Sequence, residues 1–336
     1  MKKLVSLLLT VVMVFALFAF GQTAAFADKK DDPIKLRIQV AEAETASKAI
    51  YTKQFADAVY EKTNGAVQID VYYNSELGSL ADVLEQVSNG SNIMVSTAID
   101  QLGSYYYDFN GPAIFYAMPT KDDMYNFAES ELFAEMCAGM EEQSNIMVLT
   151  LSWFGAPRNI ISIEPIETYE DLSGVKMRGA SAAYANFFKN CGASAEVIPW
   201  NEVYTALSQG IIDAAEADFS LLYTSSLYEV APYITESEHY ICPAGIYMNA
   251  DVFNSIPEEY QKILVEEAKA AGDAYSANDD AAAAEFKQKL IDAGATILPW
   301  SEEDTALMSE AGAKCWENYP DLSEGLYERL QEAIKG

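Results

Sequence analysis

Histidine is almost missing from this chain: His239 is the only one in 336 residues. That leaves no histidine-rich metal site and one candidate for a histidine-based catalytic dyad. In the strand-like run His239-Tyr240-Ile241 it reads as a structural residue. Cysteine is scarce too. Cys137, Cys191, Cys242 and Cys315 show no C-x-x-C spacing, which removes the common zinc and redox motifs. Each sits in an apolar, regular segment, so free buried thiols are favoured over bridges, and pairing stays open. Basic residues number 21 against 51 acids, a net charge of −30. Such a balance excludes passive attraction to nucleic acid or to anionic membranes. No G-x-S-x-G, H-E-x-x-H or P-loop spacing occurs, and no Gly/Ser-rich linker. Beyond residue 20 there is no second long apolar run.

The one such run has the form of an export signal over residues 1–27. Lys2 and Lys3 precede an apolar stretch from Leu4 to Phe20, and Ala25-Phe26-Ala27 supplies a small-x-small site, so cleavage is expected after Ala27. With no cysteine near that site, a lipid anchor is not expected, and the mature chain reads as soluble in the periplasm or at the extracytoplasmic face. The remaining chain is too long for one ordinary core and suggests two lobes.

Hydrophobic periodicity gives an α/β pattern. Strands are expected at Leu36–Val40, Val67–Tyr73 and Ile93–Ser96, with helices at Ser47–Thr63 and Leu80–Ser88. A helix over 122–142 and a strand at Ile146–Leu151 follow, completing a lobe with a largely parallel sheet. After Arg158 the alternation restarts, with strands at Ile160–Ile163, Val175–Arg178, Ala195–Ile198 and Ile211–Ala215. From Pro257 to Ala293 almost nothing breaks a helix, so one element of roughly 50 Å is expected to run along both lobes. Strands crossing between the lobes, rather than a tether, are expected to join them.

Arginine is the scarce residue that carries the functional reading. There are four, Arg37, Arg158, Arg178 and Arg329, and the middle two stand in one block of sequence. A guanidinium offers a planar fork of donors that matches a carboxylate and keeps its charge. One reading is a carboxylate-binding pair, and the other is a structural ion pair with some of the many acids.

The block around these arginines resembles a known family. Asp171-Leu172-Ser173-Gly174-Val175-Lys176-Met177-Arg178 and the run from Ile198-Pro199-Trp200 to Gly210-Ile211-Ile212-Asp213 are similar to the two strongest motifs of solute-binding proteins of tripartite ATP-independent periplasmic (TRAP) transporters. The resemblance covers essentially the whole chain after residue 27. It implies a two-lobed periplasmic-binding-protein (Venus-flytrap) fold, with a ligand cleft between the lobes and a long helix spanning both. Lobe 1 is expected over 28–155 plus 244–283, and lobe 2 over 156–243 plus 284–336. The implied function is binding, not catalysis: capture of a small organic acid and its delivery to membrane permease subunits, by a monomer without cofactor or metal.

By resemblance, Arg178 grips a ligand carboxylate at a strand end, Arg158 is a second ligand-facing arginine, Trp200 packs on the ligand and Ser181 is a polar contact. Trp153 and Phe154, with Trp200, are placed to wall off water, though core packing is an equal reading for Trp153. The chain departs from the family pattern after Asp213. An asparagine that often reaches the ligand is replaced by Ala217, and Asp218 follows. Either Ala217 makes room for a bulkier solute, or Asp218 meets a ligand hydroxyl or amine; Asp218 pairing with Arg158 is the third option. Ligand identity among monocarboxylates, zwitterions and dicarboxylates stays open. An extracytoplasmic sensor module is the alternative function, and a secreted hydrolase using paired carboxylates a more distant one.

Overall fold

The computed structural model describes residues 32–336, so the expected signal peptide lies outside the described residues. The first lobe forms β1 (Ile34–Val40), α1 (Ser47–Lys62), β2 (Val67–Tyr72), α2 (Leu80–Ser88), β3 (Ile93–Ala98), α3 (Lys121–Ala128), α4 (Glu131–Ser144) and β4 (Ile146–Phe154). The second continues with β5 (Arg158–Ser162), β6 (Lys176–Gly179), α5 (Ala182–Asn190), β7 (Ser194–Val197), α6 (Val203–Ser208), β8 (Ala214–Ala217), α7 (Phe219–Thr224) and β9 (Tyr233–Tyr240). The chain then returns through β10 (Pro243–Asn249), α8 (Ala250–Asn254) and α9 (Glu258–Asp292), and ends in β11 (Thr296–Leu298), α10 (Glu302–Lys314) and α11 (Leu326–Ala333).

Two sheets result, in the orders β2-β1-β3-β10-β4 and β11-β9-β5-β8-β6-β7. Both are mixed rather than largely parallel. β10 is antiparallel to β3 and β4 because it enters from the other lobe, against the direction of its neighbours. The chain passes between the sheets three times, at Gly155-Ala156-Pro157, at Ile241-Cys242 and through α9 to β11, with no flexible linker at the first two places.

Local chemistry explains two differences from the sequence pattern. The helix expected over 122–142 is two helices. Ser130 accepts a hydrogen bond from Phe133 N at 3.1 Å and so caps a fresh helix within the run. The strand expected at Ile211–Ala215 starts later, at Ala214. The amides of Ile211 and Ile212 fold back onto Ala206 O, closing the end of α6 before the chain can join the sheet.

The 35-residue α9 is about 50 Å long and packs on β4, α1 and α7, thereby touching both lobes. Gly272 permits its close approach: a Cβ there would lie 2.7 Å from Trp153 Nε1. Trp153 Nε1 donates to Ala268 O at 3.1 Å, and Ser276 Oγ accepts from Phe154 N and donates to Ser152 O, both at 2.7 Å. The helix is thus hydrogen-bonded to the end of β4, where the chain leaves the first sheet. α11 packs on α3 and α4, while α10 packs on α5. All four cysteines are free, with Cys191 and Cys315 buried. Among the described residues no helix is long and apolar enough to cross a membrane.

Candidate functional site

β8 lies between β5 and β6, and this order brings the two arginines to one carboxylate. Side chains alternate across a strand. Ala215 and Ala217 therefore face the apolar core of the second lobe with Ile161, Leu207 and Leu222, while Glu216 points the other way. Glu216 sits opposite Ile160 in register, on the same face as Arg158 two residues earlier. The Glu216 side chain is fully buried. Arg158 Nε and Nη2 both donate to the Glu216 carboxylate, the latter at 3.0 Å, and Nη2 also donates to the Glu216 backbone oxygen at 2.9 Å. Burial alone would lower the Arg158 pKa, but Glu216 overrides it and the net shift is well upward. The partner of Arg158 is therefore Glu216 and not Asp218.

Arg178, at the end of β6, is engaged differently. Its Nε donates to Ile198 O at 3.0 Å, and Nη1 stands 3.6 Å from Glu216 Oε1, an ion-pair distance longer than a hydrogen bond. The guanidinium carbon lies 5.2 Å from the ring centre of Trp200, a cation–π distance. Burial pushes the Arg178 pKa down to about 10, with Glu216 opposing and Arg158 adding to the effect; at neutral pH the group stays charged. Its Nη hydrogens make no hydrogen bond among the described residues.

Arg178 and Trp200 line a cavity of about 100 Å³ together with Ala180, Gln101, Leu80 and Ala41. A second cavity, about 40 Å³, is lined by Arg158, Asp218 and Ser220 from one lobe and by Glu42, Lys48 and Trp153 from the other. Two contacts bridge the lobes here: Ser47 N donates to Ser220 Oγ at 3.1 Å and Gln101 Nε2 to Ala180 O at 3.4 Å. The cleft is shut.

The remaining expected site residues fall in three groups. Trp153 is fully buried, and serves both readings, since it lines the smaller cavity and packs in the core of the first lobe. Phe154 is in the core, edge-on to Tyr125 at 4.8 Å, outside the walls of both cavities. Ala217 is likewise buried away from them. Ser181 precedes α5 without capping it; its buried Oγ has no hydrogen-bond partner of normal geometry but faces Asp100. Asp218 caps α7 by accepting from Leu221 N at 2.9 Å, and its carboxylate also borders the smaller cavity.

Several residues of the cleft escaped sequence reasoning. Glu216 is the chief one, although an acid inside the alanine strand Ala214–Ala217 was a visible signal. Asp100 is buried and its pKa raised by desolvation, with Ser181, Gln101 and both arginines opposing; Gln101 Nε2 donates to it at 2.7 Å. Lys48 and Glu42 pair across the mouth of α1. His239 is structural: Nδ1 pairs with Ser237 Oγ at 2.8 Å, and burial, with Arg158 adding, drives its pKa to about 3.

Residues 39–321 match the family model for bacterial extracellular solute-binding proteins, family 7. The ectoine-binding periplasmic protein TeaA of Halomonas elongata is 30% identical over 269 residues, covering 79% of this chain and 76% of the relative. Among solved structures, a TRAP periplasmic solute-binding protein from Ochrobacterium anthropi with bound L-fuconate superposes with a TM-score of 0.86 at 24% identity, covering 90% of this chain and 100% of that one. An apo open structure of such a protein from Escherichia fergusonii gives 0.75 at 26% identity, covering 89% and 99%.

Proposed function

The chain belongs to the bacterial extracellular solute-binding proteins of family 7, the solute-binding components of TRAP transporters, and from that premise we propose that it captures a small organic acid through Arg178 and delivers it to membrane permease subunits. The family is one of binding proteins, so the bound acid is released unchanged. One observation carries the reading. Arg178 is a buried cation lining a cavity of about 100 Å³, and its Nη groups make no hydrogen bond among the described residues, with Nη1 only at ion-pair distance from Glu216, whereas Arg158 is held bidentately by Glu216. In this arrangement Arg158 and Glu216 are the rigid backing that fixes Arg178, and Trp200 covers the ligand face of its guanidinium.

In the same proposal, residues 28–155 plus 244–283 move as one lobe and 156–243 plus 284–336 as the other, bending at 155–157, at 241–242 and along α9. The shut form is what the permease recognises. The protein acts as a monomer in the periplasm after cleavage behind Ala27. The first test is a thermal-shift screen of organic acids against neutral sugars. An acid at a hundred times its Kd stabilises the folded form by ~2.7 kcal/mol, and a response confined to neutral sugars would refute the proposal.

A further inference from the structure

A third cavity, of about 530 Å³, lies where the lobes join. Each place at which the chain is proposed to bend contributes to its wall: Ala156 and Pro157 from one crossing, Ile241 from the other, and Ala283 and Ala284 from α9. The first lobe adds Pro119 and Lys121, and the second Asn159 and Phe219. An irregularity of the second sheet borders the same space. Arg158 pairs with Tyr240 and Ile160 with Thr235, so residues 236–239 of β9 stand against Asn159 alone. Glu236 and Glu238, both in this bulge, line the cavity. Glu238 has a φ of +43°, a left-handed conformation that a residue other than glycine adopts at a cost. The buried Asn159 holds it there: Oδ1 accepts from Glu238 N at 3.3 Å, and Nδ2 donates to Pro157 O at 3.4 Å. Bulges and strained residues gather at functional sites, and this one ties the cavity wall to the first crossing.

The charges on its rim are already matched. Lys121 Nζ pairs with Asp280 at 2.9 Å and donates to Ser276 O at 2.8 Å, and Lys287 pairs with Glu236. Glu238 is the remaining acid and is exposed to water. No cation among the described residues of the wall is left for a carboxylate, unlike the Arg178 cavity, while Phe219, Ile241, Pro157 and the two alanines offer apolar surface. We propose that this cavity is a second binding site, for an uncharged, largely apolar small molecule, and that its occupant holds the lobes shut. The volume is in the range of small-molecule sites. Because both lobes, both crossings and α9 supply the wall, the cavity has this shape only in the shut form, so whatever fits it favours that form. By linkage, the occupant and the acid in the cleft then tighten each other's binding. The acid's side of this coupling rests on the Arg178 reading, and the cavity itself does not.

The neutral dye N-phenyl-1-naphthylamine, which fluoresces on leaving water, tests the proposal. It should give a saturable signal from one site on the protein. Its affinity should rise by about fivefold or more when the cleft is saturated with the best acid from the thermal-shift screen. Ala284, on the exposed side of α9, can be enlarged without entering the core. Ala284→Trp should remove the dye signal and still bind the acid at least as tightly as the unmodified protein. Ala284→Leu, a milder filling with better helix propensity, should weaken the dye severalfold and guards against a folding defect. A dye that the acid displaces, or that both variants bind unchanged, sits elsewhere and would overturn the proposal. So would the absence of saturable binding, or an affinity indifferent to the acid. If no acid binds but the dye does, and Ala284→Trp loses it, the Arg178 reading falls and the second site stands.

Discussion

Glu216→Gln is the most informative perturbation of the protein frame. The substitution keeps the shape of a fully buried side chain and removes the charge that two arginines share. Arg158 would retain its bond to the backbone oxygen of residue 216, seen at 2.9 Å, and one hydrogen bond to the amide oxygen. The amide NH₂ would replace a carboxylate oxygen that now accepts from it. Removing one partner of a buried ion pair costs about 3–5 kcal/mol, because the other charge is left uncompensated in a low-dielectric site. The retained backbone contact argues for the lower end, about 3 kcal/mol. For a chain of about 300 residues that corresponds to a fall of roughly 5 °C in the melting temperature. The assay is thermal unfolding of ligand-free protein followed by circular dichroism. A change of less than about 1 °C would mean that Glu216 does not balance the two arginines, and the frame assigned to Arg178 would fall with it.

Three observables elsewhere follow from the same structure. Asp279 has a folded pKa raised to about 6, so its contribution to stability is present below its unfolded pKa, near 4, and is lost as pH rises through 6. Asp279→Asn should therefore raise the stability of the ligand-free protein by ~1–2 kcal/mol at pH 7.5 and by little at pH 4, and an equal effect at both would contradict the shift. His239, driven to about pKa 3, should show no proton-NMR titration of its ring between pH 5 and 8; being the only histidine, its signal is unambiguous. Gly272→Ala gains helix propensity but places a methyl against Trp153 and Ser152, and should lower stability by about 1–2 kcal/mol in urea unfolding.

The sequence pattern and the structure agree best where a single physical constraint acts along the chain. The long helix was readable because 257–293 lacks breakers, and it matches Glu258–Asp292 closely. The place of Arg178 at a strand end was readable from the pattern Val175–Arg178, and the structure puts it in β6, Lys176–Gly179. Legibility fails where three-dimensional pairing decides. Glu216 is one of 51 acids, and only the β5-β8-β6 order shows that it lies between the two arginines. Whether Ala217 or Glu216 faces the cleft is set by strand register, which only the pairing of Glu216 with Ile160 on the neighbouring strand fixes. Glu42, Lys48, Asp100 and Asp279 come from four separate elements or turns, and no local pattern links them.

The central claim is that Arg178, held in place by Arg158 and Glu216, reads the carboxylate of the solute. Calorimetric titration of Arg178→Lys with the best acid from the thermal-shift screen tests it most directly. Lysine keeps the positive charge but cannot present a planar fork, and loss of the forked contact should cost ~3 kcal/mol or more, over a hundredfold in affinity, with the fold intact by circular dichroism. Binding of that acid by Arg178→Lys with the affinity of the unmodified protein would contradict the account.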